Sequence, residues 1–175
     1  MDSRWHAFLY FIFKGKYGMH SLIFILYVSF FDSKNFPLPL IFACLILKFA
    51  QIAKALQFVH GRGIAHLDVK PDNIYIKNGV YKLGDFGCAT LIDKSLPIEE
   101  GDARYMPQEI LNEKYDHLDK VDIFSLGAAI YELIRGSPLP ESGSQFLKEG
   151  KLPLLPGHSL QFQNLLKVQF FPLRQ

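Results

Sequence analysis

The chain has 175 residues, of which 49% are apolar and 21% charged. That excludes a disordered or fibrous protein and frames one ordinary domain, or part of a larger one. Nineteen basic against seventeen acidic side chains leave a net charge of +2, too small to point to nucleic acid or an anionic membrane surface. Cys44 and Cys88 are too few for a disulfide framework or a Cys-rich zinc site, so a reduced, intracellular protein is expected.

Composition breaks near residue 48. Residues 1–50 carry five basic and two acidic side chains and nine of the sixteen phenylalanines. Two apolar runs, Ser21 to Phe31 and Phe36 to Leu47, are each shorter than the about 20 residues a spanning helix needs. Joining them would place Asp32 and Lys34 near the bilayer centre at about 5–7 kcal/mol, with Pro37 and Pro39 interrupting the helix. A membrane anchor is therefore the lesser expectation. A secretory signal is opposed by Lys14-Gly15-Lys16 behind the short Phe8–Phe13 run and by the lack of an Ala-x-Ala-like site. No period persists through residues 1–46, so residues 1–48 read as an atypical apolar segment outside the folded unit of residues 49–175.

From there the pattern is legible. Phe49, Ile52, Ala53, Leu56 and Val59 recur at helical spacing, and Gly61 and Gly63 supply a stop. A polar loop follows, His66-Leu67-Asp68-Val69-Lys70-Pro71-Asp72-Asn73. Then Ile74–Lys77 and Val80–Leu83 flank Asn78-Gly79, the strongest short hairpin signal, because both turn residues take positive φ. A two-residue turn pairs Ile74 with Leu83 and, by extension, Asn73 with Gly84. Asp68, Asn73 and Asp85 then gather at one open end of the hairpin. Two of these oxygen-bearing side chains suit a hard cation such as Mg²⁺, and one remains to handle a proton.

Val121 to Ile134 is apolar nearly all round, the mark of a buried helix. Asp119 is expected to cap its start and Gly136 to end it. Asp122 reads either as a first-turn charge complementing the helix dipole or as a buried acceptor. Cys88 is expected to pack, and His60 and His117 stand alone as structural or surface groups. The fold class is mainly α with a short β-hairpin, α+β.

These residues resemble the protein kinase family. His66-x-Asp68-x-Lys70-Pro71-x-Asn73 followed by Asp85-Phe86-Gly87 is similar to its catalytic loop and magnesium-binding motif. Met106-Pro107-Gln108-Glu109 resembles the end of its activation segment, and Asp122-Ile123-Phe124-Ser125-Leu126-Gly127 the start of its buried central helix. The resemblance covers about Leu47 to Val168 and implies the larger, C-terminal lobe without the smaller one. It implies that Asp68 accepts or orients the substrate hydroxyl proton and that Lys70 meets the transferring phosphate. It also implies that Asn73 and Asp85 hold Mg²⁺ beside ATP, that Gly87 lets the backbone turn after the metal ligand, and that Asp122 anchors the catalytic loop.

Glu99-Glu100-Gly101-Asp102-Ala103-Arg104-Tyr105, with His66-Leu67-Asp68 and Gly150-Lys151-Leu152-Pro153, resembles the Wee family of cyclin-dependent-kinase inhibitory kinases, most of all its plant branch. That implies transfer to a tyrosine of a cyclin-dependent kinase, restraint of mitosis and a nuclear location, with the cytoplasm as the alternative. Lys70 is the serine/threonine-kinase form, in tension with tyrosine specificity. Leu67 stands where most kinases have Arg, so no phosphorylation switch is expected at Thr90, Ser95 or Tyr105. Residues 1–50 hold no Gly-x-Gly-x-x-Gly and no Val-Ala-x-Lys equivalent, and Arg174 sits in no recognisable partner segment for Glu109. An inactive fragment is therefore expected, the alternatives being a non-catalytic kinase-like binding module and a membrane-tethered lobe.

Overall fold

A computed structural model describes residues 39–141 together with 147, 149, 153–155, 160, 163 and 164, with side chains from residue 48 onward. The Ser21–Phe31 run, nearly all of Gly150–Pro153 and Arg174 lie outside the described residues. Helix α1 spans Pro39–His60. Strand β1 is Ile64–Ala65, a short 3-10 helix covers Pro71–Asn73, and β2 and β3 are Ile74–Lys77 and Val80–Leu83. Strand β4 is Thr90–Leu91, α2 is Gln108–Leu111 and α3 is Leu118–Arg135.

The apolar stripe of α1 faces inward as its spacing requires. Ile52, Ala53 and Leu56 are buried against Val69 and Leu126, with Phe49 and Val59 at the margin. The helix extends upstream of that stripe to Pro39, so a division at residue 48 falls within it. Among the described residues no helix is long and apolar enough to cross a membrane.

The hairpin has the expected register, Ile74 against Leu83 through Lys77 against Val80. Asn78 and Gly79 take φ of 52° and 74°, the positive pair that a two-residue turn needs. The amide of Gly84 donates to the Asn73 carbonyl at 3.0 Å, extending the ladder by one rung. Gln51 on α1 accepts from the amide of Tyr81 at 2.8 Å, fixing the hairpin against the helix. A second antiparallel pair, β1 with β4, was not expected from the sequence. Two residues per strand are too few for an alternating pattern to show.

Helix α3 is buried on most sides and ends at Gly136, which takes φ of 71° and donates to the Glu132 carbonyl. Its start corrects the sequence expectation. The N-cap position is His117, without a side-chain cap bond, and Asp119 lies inside the first turn, where it pairs with Lys120 at 3.0 Å. The apolar helix begins one residue earlier than Asp119 because Leu118 is itself fully buried, packing with Ala65, Leu67, Met106, Ile110 and Val121.

Candidate active site

The loop between β1 and the 3-10 helix is fastened from below. Asp122 on α3 is fully buried, and its two oxygens accept the consecutive amides of His66 and Leu67, each at 2.8 Å. His60 at the end of α1 reaches the same carboxylate through Nε2 at 2.7 Å. Asp122 is thus a buried acceptor for the loop backbone, not a surface charge on the helix dipole. His60 is part of this anchor and not isolated, a link across 62 residues.

The anchor holds a conformation the chain would otherwise avoid. Leu67 takes φ of 61°, a left-handed geometry costing a residue with a side chain about 1–2 kcal/mol. Its side chain is buried in the cluster with Met106, Ile110 and Leu118. At this position, then, the loop meets the 106–110 segment through apolar packing. Asp85 also takes a left-handed backbone, with φ of 57°.

His66 joins the two halves of the site. Its Nδ1 accepts the Asp68 amide at 3.2 Å, which leaves Nε2 to donate to the Gly84 carbonyl at 3.0 Å. Its ring meets Phe86 edge-on at 4.7 Å between centroids. Gly84 is therefore held by Asn73 through its amide and by His66 through its carbonyl, and Asp85 follows it directly.

The Asp68 carboxylate is surrounded by donors. Its Oδ2 receives Asn73 Nδ2 at 2.8 Å and Lys70 Nζ at 2.9 Å. Its Oδ1 receives the backbone amide of Asp102 at 3.0 Å. Burial alone would raise this carboxyl, but the Lys70 ammonium, the Asp102 amide and the Asn73 amide together hold it below the usual carboxylate range. Burial works against the charge of Lys70 as well, and Asp68 outweighs it, holding the ammonium above its ordinary value.

Asn73 is buried and its Nδ2 donates to two oxygens of Asp68, the backbone carbonyl and Oδ2, both at 2.8 Å. Two acceptors on that side fix the orientation of the amide. Among the described residues nothing occupies Asn73 Oδ1, and Asp85 uses only Oδ1, which accepts the Gly87 amide at 3.2 Å. The unoccupied oxygens of Asn73 and Asp85 fit a hard, oxygen-seeking cation such as Mg²⁺, which commonly takes one or two protein oxygens and fills the rest with water or phosphate. Among the described residues no three His, Cys, Asp or Glu side chains gather as a metal site. Cys88 is half-buried beside the Ala65–Val121 cluster. Burial first, then nearby carboxylates, push its thiol up, which keeps it protonated.

One part of the site escaped the sequence reading: the arm of residues 100–104. A Cβ on Gly101 would stand 2.3 Å from the Leu67 carbonyl oxygen and 2.8 Å from Asp68 Oδ1. Only glycine brings this backbone close enough for Asp102 to donate to Asp68. Gly101→Ala should cost about 1–3 kcal/mol through overpacking against backbone and release Asp102 from Asp68. Urea unfolding and the loss of protection of the Asp102 amide from hydrogen exchange would measure both. The hydroxyls of Thr90 and Tyr105 are engaged, the first with the Pro97 carbonyl at 3.1 Å and the second with Glu132 at 2.8 Å.

With that geometry in place, comparison with known proteins is consistent. Residues 44–153 match the family described as the protein kinase domain. The chain is 82% identical over 120 residues to a Wee1-like protein kinase of Arabidopsis thaliana, covering 67% of this chain and 24% of that protein. It is 73% identical over 124 residues to a Wee1-like protein kinase of Oryza sativa subsp. japonica, covering 70% and 24%. A Wee1-like protein kinase 2 of Danio rerio is 38% identical over 148 residues, covering 70% and 27%. The chain spans about a quarter of the length of these curated relatives.

Proposed function

The chain belongs to the protein kinase family, and from that premise we propose that it carries the substrate-facing half of a Wee-type phosphoryl-transfer site. The reaction is transfer of the γ-phosphate of ATP to a tyrosine of a cyclin-dependent kinase, restraining mitotic entry, and its place is the nucleus. Asp68 accepts and orients the proton of the attacking hydroxyl. Lys70, set 2.9 Å from Asp68, neutralises charge on the incoming phosphate. Asn73 and Asp85 hold Mg²⁺, which when bound neutralises the phosphate charge that builds during transfer. Gly87 holds Asp85 Oδ1 through its amide.

The observation that carries this reading is the division of labour around Asp68. One carboxylate takes both the lysine and the asparagine, and the backbone carbonyl of that asparagine holds Gly84, the residue before Asp85. Tyrosine as the acceptor follows from the resemblance of the 99–105 segment, against the serine/threonine form of Lys70.

A second reading is favoured by one feature of the sequence. Residues 1–50 hold no glycine-rich phosphate loop and no strand lysine to pair with phosphate, and a kinase needs both. These 175 residues taken by themselves would then bind a cyclin-dependent kinase and leave it unmodified. The purified chain is expected to show no rise in melting temperature with ATP and Mg²⁺. A polypeptide joining residues 39–175 to a glycine-loop lobe should phosphorylate a tyrosine peptide in preference to its serine counterpart. Preference for serine would overturn the Wee-type assignment. Transfer by the chain alone, abolished by Asp68→Asn, would show that these 175 residues suffice.

A further inference from the structure

Charges alternate along a line through the site, Asp68, Lys70, Asp102, Arg104. Lys70 Nζ stands 2.9 Å from Asp68 Oδ2 and 3.9 Å from Asp102 Oδ2. Asp102 cannot retreat, because its own amide is bonded to Asp68 Oδ1 and Gly101 is wedged against the Leu67 carbonyl. Its carboxylate is instead filled from the other side. Oδ1 accepts the Arg104 amide at 3.0 Å and Nε at 2.9 Å, and Oδ2 accepts Nε at 3.1 Å and Nη2 at 2.6 Å.

The arginine is itself held by the fold. Its guanidinium lies 5.3 Å from the centre of the Tyr105 ring. Tyr105 is buried, bonded through its hydroxyl to Glu132 and through its carbonyl to Ser125. A planar fork against a carboxylate gives two directed bonds that a lysine cannot copy. Without the fork, Asp102 would offer Lys70 a free carboxylate about an ångström farther off than the one it uses.

We propose that Arg104 is a positioning residue for phosphoryl transfer: by filling both oxygens of Asp102 it keeps the Lys70 ammonium on Asp68. The inference rests on the reading of Asp68 and Lys70 as the transfer pair. Asp72 also acts on Lys70, and Cys88 lies within the field of Asp68, but neither stands between Lys70 and its two carboxylates.

The test locates the Lys70 ammonium by NMR, as the scalar coupling across its hydrogen bond from Nζ to the carboxyl carbon of Asp68 or of Asp102 in the full chain, a readout that needs no turnover and so is separable from failure of the kinase reading. The unsubstituted chain should show the coupling to Asp68, and in Arg104→Gln it should pass to Asp102. Adding Asp102→Asn removes the competitor and should return the coupling to Asp68. Arg104→Lys, which lacks the planar fork, should divide it between the two. A purely structural arginine would lower the melting temperature of Arg104→Gln and leave the coupling on Asp68, which overturns the proposal. If Arg104→Gln does not fold, Arg104→Lys and the double variant carry the comparison, and an undivided coupling to Asp68 in Arg104→Lys overturns it.

Discussion

Asp122→Ala is expected to destabilise the chain by about 3–5 kcal/mol, the cost of stripping a buried charged acceptor from its donors. Three donors converge on that carboxylate: the amides of His66 and Leu67 and the ring of His60. The two amides belong to buried residues and have no water to turn to, whereas the part-exposed His60 ring does. The loss is compounded by Leu67, whose left-handed backbone is tolerated only while its amide is held. Domains are typically stable by about 5–15 kcal/mol, so a large part of the total is at stake. Urea unfolding should show a lower midpoint with the slope unchanged. Asp122→Asn is the informative companion. Its oxygen can serve one amide, but its NH₂ then faces the other donor, for a loss of about 1–3 kcal/mol. A loss below about 1 kcal/mol in the alanine variant would mean that the loop holds its shape without this anchor.

How much of this was legible in the sequence depends on the range of the interaction. The hairpin was legible because Asn78-Gly79 is a local signal and register follows from turn length. Once the register is set, Asn73 must sit beside Gly84, and Asp85 is delivered to the catalytic loop. The inner face of α1 was legible from period, and the burial of α3 from a run with no polar face. The pairing of β1 with β4 was not, since it rests on two residues a side and on tertiary closure. The link of His60 to Asp122 spans 62 residues, and nothing near His60 in the chain marks it. The contact of the 100–104 arm with Asp68 is harder still. Its donor is a backbone N–H, which every residue but proline carries, and its geometry depends on the missing side chain of Gly101. The glycine between two acidic residues was the available clue. The start of α3 is set by burial of Leu118 and not by a polar cap, so the acidic Asp119 marks the first turn and not the boundary.

Asp68→Asn is expected to lower phosphoryl transfer by about 10²–10⁴-fold, the usual contribution of a positioned general base, measured in a polypeptide that joins this lobe to a glycine-loop lobe. The substitution also disturbs its neighbours. An amide nitrogen in place of Oδ2 would face the Lys70 ammonium and the Asn73 NH₂, donor against donor. Loss of rate alone therefore does not separate proton transfer from positioning, and pH does. Burial favours the neutral acid, but Lys70 and the amides of Asp102 and Asn73 prevail and lower the Asp68 carboxyl in the folded chain. A depressed carboxylate contributes stability at pH above its unfolded value of about 4 and loses that contribution as pH falls through its folded value. In the role proposed for it, the Asp68 carboxylate is accordingly ionised throughout the neutral range, and the acid limb of the rate profile should lie below the ordinary carboxylate range. In Lys70→Ala the limb should move upward, because burial then meets less opposition. An acid limb near neutral pH in the unsubstituted protein, absent in Asp68→Asn, would mean that burial outweighs the donors at this carboxylate, and the charge order from Asp68 to Arg104 would then not be what keeps the base ready.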